Sequence, residues 1–163
     1  MPRESAQSWD LENVLEHMFL GELMSESWFA RGTPIEVLRA EVDNAGYDLV
    51  LECRGVVRHV QLKGGRGKIK VNCRLAEKPA GCIVWIQRQP SANTRTPTLG
   101  YRFSGGKPTE RFSMDGLKVA KKTTYGRGSE TRRERPNIRE VPGRRFSEPL
   151  GISELFDHLF PGN

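Results

Sequence analysis

The sequence predicts an α/β fold, a mixed β-sheet flanked by helices, and three stretches carry that expectation. Residues 8–29 place apolar groups at helical spacing, and residues 46–63 alternate like a β-hairpin around Arg54-Gly55. Residues 81–86 form a continuous apolar run between chain breakers, which suits a central strand covered on both faces. A chain of 163 residues is long enough for one domain with a single core. That domain divides into a core over about residues 8–90, a basic, loop-rich part over 91–150 and a terminal helix over 152–160. Apolar content of 36%, with 17 glycines and 10 prolines, implies that much of the surface is loop.

Taken in order, the first helix carries Leu11, Val14, Leu15, Met18 and Phe19 on one stripe, with Ser8 or Asp10 as its cap and Gly32 with Pro34 as its end. Glu22 falls on the same stripe, where a carboxylate is costly unless it is paired or bound to metal. Residues 35–42 read as the first strand, with Glu41 on the face of Ile35 and Val37, and residues 43–46 read as a turn in which Asp43 bonds its own backbone. A short helix is expected over 72–78, ending before Pro79, and a short strand over 99–104. Residues 123–136 are expected as a mobile loop. Ser153 caps the terminal helix, whose Leu155, Phe156, Leu159 and Phe160 must cover something. Packing on the sheet is the default for that stripe, and a homodimer interface is the alternative. Trp9, Trp28 and Trp85 are assigned to the core.

The hairpin carries the chemistry. A two- or four-residue loop centred on Arg54-Gly55 sets Asp48 directly opposite Gln61, and directly opposed side chains share a face. A three-residue loop would spoil that register. Period-two alternation puts His59, Gln61 and Lys63 on one face, with Val60 and Leu62 on the other. An acid, an amide oxygen and an ammonium then converge. A hard cation such as Mg²⁺ or Mn²⁺ takes oxygen ligands. Asp48, Gln61 and the Leu62 carbonyl are the candidates, with Lys63 beside the attacking water. The plain alternative is an amphipathic hairpin whose polar face meets solvent.

Gly46-x-Asp48, a strand, then Gln61-x-Lys63 resembles the PD-(D/E)xK, or restriction-endonuclease-like, nuclease superfamily. Residues 39–48 and 78–86 are also similar to small bacterial members, so the resemblance covers about residues 10–90. It implies a restriction-endonuclease-like core, a Mg²⁺-dependent endonuclease activity and catalytic roles for Asp48, Gln61 and Lys63. Gln61 stands where the superfamily more often has Glu, which removes one anionic ligand. The superfamily's first helix often supplies an acid, and Glu22 is the matching position, with Glu41 the competing auxiliary acid.

Charge adds a partner. Residues 118–145 hold ten Lys or Arg against three Glu, a net of +7, so the remainder of a chain of net charge +6 is near −1. Such a footprint suits a phosphate backbone, DNA above all, with Lys121, Lys122, Arg127, Arg132, Arg133 and Arg135 as the contacts. Arg66, Lys68 and Lys70, in the glycine-rich stretch after Lys63, extend the set. The alternative is a catalytically inactive nuclease-fold protein that binds nucleic acid or a protein partner through 118–145. No run is long enough to span a membrane, residues 1–5 are no signal peptide, and three cysteines without a C-x-x-C pair point to a reducing cytoplasm.

Overall fold

A computed structural model describes residues 2–40, 45–126 and 129–162. Helix α1 spans Pro2–Ser25 and continues into a π-helical turn, Glu26–Ala30. Strands β1 (Glu36–Arg39), β2 (Leu49–Cys53) and β3 (Val56–Lys63) form an antiparallel meander. Strand β4 (Ile69–Asn72) and a 3₁₀ turn (Cys73–Glu77) lead to β5 (Gly81–Gln89), which returns parallel to β3 and pairs antiparallel with β6 (Thr98–Gly105). The five strands make one mixed sheet in the order β1-β2-β3-β5-β6. Strands β7 (Lys118–Gly126) and β8 (Ser129–Val141) join β4 in a second, three-stranded sheet of order β4-β8-β7. A 3₁₀ turn (Gly143–Arg145) and helix α2 (Ile152–Leu159) close the chain.

The fold is therefore α/β with a mixed sheet and two helices, and alternation along the strands builds two cores. Leu49, Leu51, Val60, Cys82, Val84 and Ile86 point one way, onto Leu15, Phe19 and Leu23 of α1 and the stripe of α2. Leu155, Phe156, Leu159 and Phe160 are all fully buried, each contributing about 1.5–3 kcal/mol of burial. Ile83 faces the other way, into a second cluster with Ile69, Val71, Leu75, Phe112, Val141 and Phe146. Strand β5 is thus covered on both faces, as its unbroken apolar run requires.

Several expectations are corrected. Residues 118–126 and 129–141 are strands, so the expected loop over 123–136 is, in its described residues, a β-ribbon. Threonine, arginine and glutamate alternating without apolar residues give no strand period to read. On α1 the buried stripe is Leu15, Phe19, Leu20 and Leu23, while Leu11 and Val14 are exposed. Trp9 and Trp28 lie outside the core at 66% and 62% exposure. Only Trp85 is partly covered, edge-on against Phe146. Gly151, not Ser153, caps α2, its N–H donating to Glu154 Oε2 at 2.8 Å. Among the described residues no helix is long and apolar enough to cross a membrane.

Candidate active-site cleft

The β2–β3 turn sets the site. Cys53 pairs with Val56, leaving Arg54 and Gly55 as a two-residue loop with φ of 48° and 78°. Two left-handed residues make the turn whose twist matches a hairpin. Arg54, a non-glycine in that region, is held by Nε donating to Thr33 Oγ1 at 3.0 Å. The ladder then runs in register from Cys53–Val56 to Leu49–Val60, and the Asp48 N–H donates to the Val60 carbonyl at 2.9 Å. There the register slips by one: Asp48 and Leu49 both stand against Val60, as in a β-bulge, so the expected direct Asp48–Gln61 pair does not form and Asp48 reaches the site through its side chain. Its Oδ2 accepts the Leu62 N–H at 2.6 Å, a charge-assisted bond that orients the carboxylate.

Asp48, Gln61, Leu62 and Lys63 line one cleft of about 680 Å³, walled on the far side by Glu12, Leu15 and Glu16 of α1. Gly64 makes the close approach possible, because a Cβ there would lie 2.7 Å from Leu15 Cδ1. Trp85 holds the following residue, Nε1 donating to the Gly65 carbonyl at 2.8 Å. Gln61 is only 7% exposed, and its Oε1 is buried without a hydrogen-bond partner. An orphaned buried acceptor costs about 1–3 kcal/mol. Lys63 is half-buried and makes no ion pair among the described residues. His59, on the same face, is turned to other work: its Nδ1 is 2.7 Å from the Pro79 carbonyl and its ring packs edge-on with Tyr47.

Glu22 is not brought to this cleft. It accepts a 2.7 Å bond from the Tyr101 hydroxyl, and Tyr101 is fully buried against Phe19. Burial first, and the Glu22 bond second, raise the Tyr101 pKa well above the ordinary range. The acids that α1 does present are Glu12 and Glu16, the latter tied to Arg39 at 3.1 Å. Their spacing of four residues on one helix face was the available signal. Glu41, Asp43 and Arg127 lie outside the described residues.

The predicted basic contacts are dispersed. Arg66 and Lys68 are exposed in the loop after Lys63, with Lys68 paired to Glu140 at 3.0 Å. Lys70 lies opposite that same Glu140 on the second sheet. Lys121, Lys122, Arg132, Arg133 and Arg135 all lie exposed on the β7–β8 ribbon. Arg58, a cation on the opposite face of β3 from Gln61, is 1% exposed. It donates to the carbonyls of Leu159, His158 and Gly106 at 2.7, 3.0 and 2.9 Å, and desolvation lowers its pKa.

Compared with known proteins, the chain matches no family model, no curated protein and no solved structure.

Proposed function

We propose that the chain is a metal-dependent nuclease with a restriction-endonuclease-like core, hydrolysing phosphodiester bonds in DNA at the Asp48–Gln61–Lys63 cleft. The buried, unpartnered Oε1 of Gln61 carries this reading, because a neutral oxygen left without a hydrogen bond inside a polar cleft suits a hard cation. The order of elements supports it too: a helix, a meander with the acid just before its second strand and the Gln-x-Lys on its third, then a parallel strand.

The donor set fits Mg²⁺ or Mn²⁺ sparingly. Asp48 would supply the anionic oxygen, Gln61 the amide oxygen and Leu62 its carbonyl. Among the described residues no three His, Cys, Asp or Glu side chains gather into a metal cluster, so the remaining positions would fall to water, as Mg²⁺ prefers. A bound cation would supply Lewis acidity toward a phosphate oxygen and a more acidic water. The chain's own part is positional and electrostatic. The Leu62 N–H fixes the Asp48 carboxylate. The Lys63 ammonium, without an internal counter-ion among the described residues, favours the negative charge that builds on the phosphate oxygens. Trp9, exposed at the rim, offers an aromatic face to a nucleobase. Three free thiols accord with a reducing, cytoplasmic setting.

A second reading, an inactive nuclease-fold protein that binds nucleic acid, is favoured by one fact: an amide stands at position 61 where the superfamily more often has a carboxylate. The deciding experiment incubates plasmid, linear and single-stranded DNA with Mg²⁺ or Mn²⁺, wild type beside Asp48→Ala and Lys63→Ala. Cutting that needs metal and is lost in both variants supports the nuclease. Salt-sensitive binding without cutting supports the second reading. Cutting that survives both substitutions refutes the cleft.

A further inference from the structure

We infer that the β7–β8 ribbon is a duplex-DNA-binding arm, entering the major groove with the face formed by Lys122, Arg133 and Arg135. The inference builds on the nucleic-acid reading of the cleft and adds the form of the substrate. At its root the ribbon is braced: β4 pairs with β8 only over Ile138–Val141. Beyond an irregularity at Val119/Ala120, seven residue pairs continue from Ala120–Arg135 to Gly126–Ser129 with no third strand among the described residues, and because Ala120 is itself buried the arm leaves the body just past it. At strand rise this is an arm of roughly 20 Å.

Cross-strand partners share a face. Lys122 lies directly opposite Arg133, and Ala120 opposite Arg135, so those three cations stand together with no acid at these four positions. The other face differs, since Lys121 lies opposite Glu134 and pairs with it at 3.8 Å. Like charges set directly opposite destabilise a ladder, and a two-stranded ribbon is marginal by itself. Phosphates along one face relieve that repulsion, which makes a polyanion the complementary occupant. The shape selects which polyanion. The B-form major groove admits a two-stranded ribbon, whereas the deep, narrow A-form groove does not. Strand β4, six residues after Lys63, links the root of the arm to the cleft, so a duplex gripped by the ribbon is presented to the same site.

The test is fluorescence anisotropy in EDTA, with a labelled 20-base-pair DNA duplex (~20 bp), the matching RNA duplex and the single DNA strand, each across a salt series. Wild type should bind the DNA duplex at least about tenfold more tightly than either alternative. Replacing Lys122, Arg133 and Arg135 together by Gln should reduce the slope of log affinity against log salt by about 2–3. Arg133→Lys with Arg135→Lys, which keeps the charge, should preserve that slope. An unchanged slope in the triple variant overturns the inference, as does equal binding to duplex RNA. Displacement by poly-glutamate as effective as by unlabelled DNA also overturns it, in favour of an acidic protein partner. Binding in EDTA needs no turnover, so failure here leaves the nuclease reading intact, and loss of cleavage on Asp48→Ala leaves this result intact.

Discussion

Replacing Gln61 by Met should make the metal-free protein more stable. Gln61 is 7% exposed and its Oε1 has no hydrogen-bond partner, so the folded state carries an unsatisfied acceptor worth about 1–3 kcal/mol. Methionine has nearly the same length and needs no partner. Some gain is lost through repacking and through whatever the amide nitrogen touches, leaving a net stabilisation of about 1–2 kcal/mol. In a domain of this size each kcal/mol moves the melting temperature by about 2–4 °C, so a rise of about 3–6 °C is expected in EDTA. The proposed metal site predicts the reverse once Mg²⁺ or Mn²⁺ is added. At a Mg²⁺ or Mn²⁺ concentration of about 100 times its dissociation constant, wild type gains about 2.7 kcal/mol, while Gln61→Met gains little. Gln61→Glu should behave oppositely, less stable in EDTA because a further carboxylate then joins those of Asp48, Glu12 and Glu16 in the cleft, and more responsive to metal. Thermal unfolding followed by circular dichroism, with and without metal, reads all three proteins. A fall in the melting temperature of Gln61→Met in EDTA, with no metal response in wild type, would refute the reasoning and make Gln61 a structural amide.

Other outcomes follow from the same contacts. Arg58→Met leaves the Leu159, His158 and Gly106 carbonyls without their donor and should cost at least about 3 kcal/mol in urea unfolding; Arg58→Lys, a point donor in place of a fork, should not restore it. Tyr101 has its pKa raised on folding, so its contribution is fully present below its unfolded pKa of about 10 and is lost as pH rises toward the folded value. Stability should therefore fall in strong alkali, and Tyr101→Phe should flatten the fall; the slope that remains belongs in part to Cys82, whose thiol burial pushes up to about 12. Glu22→Gln should leave metal-dependent cleavage unchanged, since Glu22 serves Tyr101 outside the cleft, whereas Glu16→Gln should lower it about tenfold or more by removing a carboxylate from the cleft wall. Equal losses in a cleavage assay would overturn that assignment.

What could be read from the chain were features whose cause is local. A two-residue turn plus strict alternation determines hairpin register, which is why the pairing from Cys53–Val56 to Leu49–Val60 could be read in advance, though not the slip that sets Asp48 against Val60. The stripe of α2 and the unbroken run of β5 are likewise local patterns with one physical solution. Glu22 was misjudged because its partner, Tyr101, is 79 positions away, and no helical period reports a distant hydroxyl. Arg58 gave no sign of burial because its partners are backbone carbonyls, which every residue has. The ribbon escaped notice because its strands are held by ladder bonds and by a root on β4, not by apolar alternation. At the cleft, the hairpin residues were legible and the helix acids were not, since α1 rotates its buried stripe to Leu15, Phe19 and Leu23 and so brings Glu12 and Glu16 to the cleft wall.

The position of Arg58 also bears on how the chain is made. Two of its three carbonyl partners lie 101 and 100 positions later, in the last turn of α2. Strand β4 likewise waits for Ile138–Val141, about 70 positions on. At synthesis rates of roughly 5–20 residues per second, the meander emerges from the ribosome several seconds before either partner exists. During that interval the Arg58 guanidinium keeps its water, because two of the three carbonyls that replace it do not yet exist. Helix α2 thus does two jobs at once, covering the sheet with its apolar stripe and supplying the acceptors that let Arg58 leave water.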